Sequence, residues 1–180
     1  MNKVEHMVRE TTDRDLVVIL SICEAAFDSE ENLPGLVKNL FEDETARPFL
    51  SLLAFEDKTA IGHILFTHAT IGKTVAALLA PLAVIPEYQN RGIGGRLIQT
   101  GCAMLKNAGV EVVFVLGYPD YYQRHGFVPA GRHGMHTPFP IPEQNADAWM
   151  VRELVPDTIE NICGILKCAD AINRPEYWRE

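Results

Sequence analysis

Three of the four residues in Gly92-Ile93-Gly94-Gly95 are glycine; they follow Gln89-Asn90-Arg91 and precede Arg96. Glycine loses more backbone freedom on folding than any other residue, so such a cluster marks a place where backbone must lie bare. The apolar run from Leu78 to Ile85, closed by Pro86, has the character of a strand. Beyond the glycines, Leu97, Ile98, Cys102 and Leu105 recur at helical spacing. A helix N-terminus leaves N–H groups unpaired and carries a partial positive charge. Glycines at that joint make an anion site, for which phosphate is the usual occupant. Arg91 and Arg96 add charge beside it. The same residues also fit a plain strand-to-helix turn whose glycines permit tight packing, and both readings stand until the rest of the chain is weighed.

Two familiar phosphate loops do not account for the turn. A P-loop needs Lys-Ser or Lys-Thr after its last glycine, and neither follows Gly94 or Gly95. The Lys73-Thr74 pair lies in a hairpin turn with no second glycine at the right distance. The dinucleotide fingerprint G-x-G-x-x-G/A accepts Gly92 and Gly94, but Leu97 stands in its third place. That fingerprint also belongs near the start of a βαβ chain, whereas here three strand-like runs come first.

The elements that must position the turn read as follows. Residues 7–10 suit a first strand, and Thr11, Thr12 or Asp13 suits the cap of a helix carrying Leu16, Ile19, Leu20, Cys23 and Phe27. An acidic break at 28–32 precedes a short second helix with Pro34 in its first turn. Residues 49–56, 60–70 and 78–85 read as strands joined by hairpin turns. Pro81 inside the third of these cannot donate to a ladder and requires a bulge. A helix over 95–108 ends at Gly109, and strand 111–116 follows. Then come a short helix at 121–125, strands from 127 and over 148–154, and a C-terminal helix from Asp157 toward Ala171. Hairpins before one βα unit predict an α+β fold with a mixed, mostly antiparallel sheet.

At 180 residues the chain is read as one domain, with 155–180 as a helical extension. Its 47% hydrophobic and 22% charged content suits a globular protein with a sizeable core. A formal charge of -8 disfavours nucleic acid as a partner. The first residues have no apolar core segment, and the longest apolar stretch, 76–86, is far below the roughly 20 residues of a membrane span. No membrane association and a cytoplasmic location are expected. Cys23, Cys102, Cys163 and Cys168 form no C-x-x-C pair, so neither a metal site nor a disulfide framework is expected.

Gln89-Asn90-Arg91-Gly92-Ile93-Gly94 resembles the Gln/Arg-x-x-Gly-x-Gly/Ala signature of the GNAT acyltransferase superfamily. Val84-Ile85-Pro86, Tyr88-Gln89 and the later "YYQRHGF" strengthen it, the last placing Tyr122 five residues before Phe127 as in the superfamily's second signature. The phrases "LAPLAVIPEYQNRGIG" and "LGYPDYYQRHGF" are similar to its YhbS-like branch of predicted N-acetyltransferases. The resemblance implies a mixed sheet with a splayed strand pair, flanked by helices on both faces. It implies acetyl-CoA or a related acyl-CoA as cosubstrate, an amine as acceptor, and no metal. The pyrophosphate would lie on the backbone from Arg91 to Gly95, and Leu82, Ala83, Val84 and Ile85 would pair with the pantetheine amides like an added strand. The cofactor set it implies is therefore Leu82 to Ile85, Gln89, Asn90, Arg91, Gly92, Ile93, Gly94, Gly95, Arg96 and Tyr122.

The implied reaction is direct acyl transfer, in which Tyr122 would hydrogen-bond or protonate the leaving thiolate. Tyr121 is read as packing. Many superfamily members carry a glutamate base on the strand before the glycine turn, and Leu78 to Ile85 holds no carboxylate. The remaining candidates for a base are His63, His68, Glu24, Asp28, Glu30, Glu31, His133 and His136, each of which also fits a surface or hydrogen-bonded role. The acceptor pocket is expected from segments 28–35 and 131–147, the second being long and proline-rich. A homodimer is compatible with this reading. The missing carboxylate keeps a second function in view, a module that binds CoA without turnover; a structural protein with an unused glycine turn is the third.

Overall fold

The computed structural model describes residues 6–27 and 33–179. Strand β1 is Met7–Glu10, and helix α1 is Leu16–Ala26. Between them the Asp15 carboxylate accepts from the Thr12 N–H at 2.7 Å and pairs with Arg9 at 2.9 Å, closing the turn that feeds the helix. Helix α2 is Leu33–Glu42. Strands β2 (Leu50–Glu56), β3 (Thr59–Ile71) and β4 (Thr74–Val84) then form a meander. Helix α3 (Ile93–Asn107) leads to β5 (Val112–Leu116) and to the one-turn helix α4 (Pro119–Tyr122). Beyond it lie β6 (Val128–Pro129), β7 (Met135–His136), β8 (Trp149–Glu153), α5 (Thr158–Asn161) and β9 (Gly164–Ile165).

Seven strands form one sheet in the order β1-β2-β3-β4-β5-β8-β6, and β7 pairs with β9 separately. Within the large sheet β4 and β5 are parallel and the other pairs antiparallel. This is the mixed α+β sheet expected from the sequence. Alternation along β3 and β4 divides the core between two faces. Ile64, Phe66, Ala77 and Leu79 pack with Leu97 and Ile98 of α3. Leu65, Ala69, Ala76 and Leu78 pack with Leu36 and Leu40 of α2, while Leu53 and Ala83 lie under Ile19, Ile22 and Cys23 of α1. Each such fully buried aliphatic side chain stabilises the fold by roughly 1.5–3 kcal/mol relative to exposure.

The expected irregularity at Pro81 is present. Ile64 pairs with Leu82 and Phe66 with Leu79, so β4 spends one extra residue at Ala80-Pro81. The parallel ladder between β4 and β5 runs from Ala76–Val112 to Leu79–Val115 and stops there. Past the bulge, Leu82, Ala83 and Val84 pair only with β3 among the described residues. The two central strands therefore part where β4 approaches the glycine turn.

The C-terminal segment departs from the sequence reading. A helix from Asp157 to Ala171 was expected, but helix is confined to Thr158–Asn161. Asp157 at φ +66° and Gly164 at φ +122° interrupt it on either side. The chain beyond is held by tertiary pairing instead. Lys167 exchanges two backbone hydrogen bonds with Thr70, and the Trp178 indole N–H donates to the Ile172 carbonyl at 2.9 Å while packing on Trp149. Pairing with the sheet and burial of Trp178 outweigh a short helical pattern. The long, proline-rich segment 131–147 carries β7 and turns of 3-10 helix.

Candidate active site

The turn after β4 delivers the start of α3 without a side-chain cap. Gln89 donates its side-chain amide to the Val84 carbonyl at 3.0 Å, tying the turn to the strand end. Asn90 at φ +60° and Gly92 at φ +81° both adopt left-handed conformations. Gly92 is the N-cap of α3, and no side chain caps the helix. The first intrahelical bond runs from the Arg96 N–H to the Gly92 carbonyl at 3.0 Å. The N–H groups of Ile93, Gly94 and Gly95 precede it and have no helical acceptor. A serine or aspartate at the cap would have satisfied one of them. Arg91 lies beside the turn, over the Tyr88 ring and 3.9 Å from Glu56. Arg96 is exposed on the first turn of α3.

The three glycines have three different reasons. Gly92 needs its positive φ. Gly94 is buried, and a Cβ there would meet the Tyr121 hydroxyl. A Cβ at Gly95 would come within 2.6 Å of the His125 ring. The sequence reading weighed phosphate approach against tight packing for these glycines, and two of them admit the segment after β5. The missing side chains let α4 and the 3-10 turn behind it lie directly on the start of α3. Tyr121 and His125 are thus part of the site's framework, which sequence reasoning assigned to packing or left unnoticed. Contacts between segments far apart in the chain leave no local pattern to read.

Tyr122 sits at the end of α4 with 8% of its surface exposed. Its ring packs edge-on against Tyr121 and Phe127, and it occupies the space a side chain at Gly117 would need. Gly117 directly follows β5, so Tyr122 stands where that strand leaves the sheet, near the parting of β4 and β5. Leu82 and Val84 are partly buried against the same core cluster as Tyr122. Ala83 faces the other side, under α1, and Ile85 donates its N–H to the Ile61 carbonyl.

The candidate bases separate by burial. His63 is fully buried on the α1 face, with Nε2 2.9 Å from Ser51 Oγ and no hydrogen-bond partner at Nδ1. Burial pushes its pKa down to about 3, so it stays neutral over the working range and is a poor proton acceptor for an amine. His68 is half-buried; Glu24, His133 and His136 are exposed. Asp28, Glu30 and Glu31 lie outside the described residues, as does most of the first expected acceptor segment. Leu33 from its end and Phe139 and Ile141 from the second segment pack on one core cluster with Ala80 and Leu116. Those last two residues flank the point where β4 and β5 part. The residues that these two segments bring to that point are apolar. The described residues contain no group of histidine, cysteine or acidic side chains able to hold a metal. None of their helices is long and apolar enough to cross a membrane.

This arrangement of parted parallel strands, uncapped glycine turn and tyrosine-bearing short helix is that of an acetyltransferase fold. Residues 48–129 match the model of the acetyltransferase (GNAT) domain. The chain is 46% identical over 173 residues to the uncharacterized N-acetyltransferase YjhQ of Escherichia coli K12, covering 93% of this chain and 94% of that protein. Its structure matches that of the E. coli GNAT family N-acetyltransferase YhbS in complex with CoA, with a TM-score of 0.85, 26% identity, and coverage of 95% and 93% of the two chains. It also matches a GNAT family acetyltransferase from Brucella melitensis in complex with acetyl-CoA, with a TM-score of 0.73, 28% identity, and coverage of 94% and 99%. The protein belongs to the GNAT acetyltransferase family.

Proposed function

We propose that the protein is an acyl-CoA-dependent N-acetyltransferase that moves the acetyl group of acetyl-CoA directly to an amine of a small molecule or protein, in the cytoplasm. The observation that carries this is the end of the β4–β5 ladder at Leu79–Val115, immediately before a glycine turn with uncapped N–H groups. The pyrophosphate is assigned to the backbone from Arg91 to Gly95, with Arg91 and Arg96 beside it. The pantetheine arm runs along Leu82 to Ile85, where β4 has lost its parallel neighbour. Gln89 and Asn90 shape the turn: one ties it to Val84, the other takes the left-handed conformation. The four cysteines are free thiols, the usage of a reducing compartment.

In the reaction the amine nitrogen attacks the thioester carbonyl, forming the C–N bond, and the C–S bond then breaks. The thiolate takes a proton, for which Tyr122 is the assigned donor; the nitrogen loses one to solvent, and solvent returns one to Tyr122. No carboxylate stands on β4 to receive it, and His63 is held neutral by burial. The amine must therefore arrive unprotonated or lose its proton through water. Incubation with acetyl-CoA and a panel of amines, following free thiol and acetylated product together, tests the reading. Thiol release dependent on one class of amine, with matching product, supports it. CoA binding without amine-dependent release on a broad panel favours a CoA-binding module.

A further inference from the structure

We propose that His125 is a ligand of the cofactor's phosphates, an imidazole seated against the glycine turn that takes up a proton when a pyrophosphate binds there. The inference rests on the reading of this turn as the CoA site. Its first support is placement. The Cβ position of Gly95 is 2.6 Å from His125 Cε1, 3.4 Å from Nδ1 and 3.5 Å from Nε2, so the ring lies on the first turn of α3. An oxygen accepting from the Gly95 N–H would be a near neighbour of that ring. The ring is also held: Tyr121 packs against it at 4.9 Å, and Arg152 Nη1 donates to the His125 carbonyl at 3.0 Å. Gly126 at φ +82° ends the turn that presents it.

The second support is charge. The groups facing His125 are Arg124 on its own turn, Tyr121 on α4, Arg152 on β8, and the start of α3 at Gly95. Arg124 Nε donates to the Asp120 carbonyl at 2.8 Å, and Arg152 to that of His125, while neither arginine pairs with a carboxylate among the described residues. In a protein with a formal charge of -8, Arg124 and Arg152 thus stand together here without a carboxylate partner among the described residues, which is how an anion's place is marked. Burial first, then Arg124 and Arg152, hold His125 below the ordinary histidine value. In the free protein it is neutral at neutral pH. A bound pyrophosphate offsets the two arginine charges and, as an adjacent anion, favours the imidazolium against the effect of burial. Binding therefore takes up a proton between the free and bound values, and affinity rises as pH falls through that window. A rise of one unit makes binding up to about tenfold tighter below the window than above it.

Dephospho-CoA is the suitable probe, because its pyrophosphate stays ionised and it lacks the monoester phosphate that titrates near pH 6. Calorimetry in buffers of different ionisation heat reads the protons taken up, and NMR titration of His125 Cε1–H in the free and saturated protein reads where they go. The expected result is net proton uptake by the wild type near pH 6.5. His125 should titrate at a higher pH when ligand is bound, and affinity should be about three- to tenfold greater at pH 5.5 than at pH 8. His125→Gln should bind without proton uptake and with a flat pH dependence. Unchanged titration of His125 in the saturated wild type would overturn the inference, and this readout needs no variant. Failure of dephospho-CoA to bind at any pH would instead remove the reading of the turn on which the inference stands.

Discussion

A free thiol has a pKa of about 8.5 and a tyrosine of about 10, so a tyrosine beside the thioester sulfur can pass a hydrogen bond or a proton to a departing thiolate. Tyr122→Phe keeps the ring that packs on Tyr121 and Phe127 and removes only the hydroxyl. In steady-state kinetics with a working acceptor, kcat should fall roughly a hundredfold or more while acetyl-CoA affinity stays nearly constant. Weakened binding with unchanged kcat would make Tyr122 a packing residue. His63 carries a prediction of another kind. Its folded pKa lies near 3, against about 6.5 unfolded, so the unfolded chain binds the extra proton between those values. Its contribution is fully present above pH 6.5 and is lost as pH falls toward 3. Urea unfolding should show His63 contributing about 2–3 kcal/mol to the loss of stability between pH 7.5 and 4.5. His63→Phe, which removes the titrating ring, should show a shallower pH dependence by that amount.

At the scale of elements, the site is a joint between α3 and α4. Gly94→Ala puts a methyl group against the Tyr121 hydroxyl, so α4 must shift and carry Tyr122 with it. CoA affinity in calorimetry should fall by about tenfold or more, a cost of roughly 1.4 kcal/mol. Adding Tyr121→Phe removes the obstructing oxygen and should recover part of the loss, the coupling expected of residues in contact. No recovery would mean that Gly94 is needed for the ligand's approach and not for packing. The turn was legible in sequence because its signals are local: an apolar run, Pro86, clustered glycines, then Leu97 and Ile98 at helical spacing. The bulge was legible because Pro81 cannot donate within a strand. The β4–β5 parting was implied by family resemblance, and the register gives it a position. The seats of Tyr121 on Gly94 and His125 on Gly95 were not legible, since they join segments whose spacing carries no pattern. The C-terminal helix was misread because Lys167 gains more by pairing with Thr70 than a short helix offers.

For the molecule as a whole, the cofactor is expected to span several elements: β4 for the pantetheine arm, the glycine turn for the pyrophosphate, and α4 for the sulfur. Anything that binds only the native state raises its stability by mass action, about 2.7 kcal/mol at a hundredfold excess over its dissociation constant. The direct test of the central claim, that the Arg91–Gly95 backbone grips an acyl-CoA by its pyrophosphate, is chemical unfolding with CoA, dephospho-CoA or pantetheine at one fixed concentration. CoA and dephospho-CoA should both shift the midpoint upward by a stabilisation of this order, and pantetheine, which lacks the pyrophosphate, should shift it little. Equal protection by pantetheine, or none by CoA, would contradict the assignment of the glycine turn.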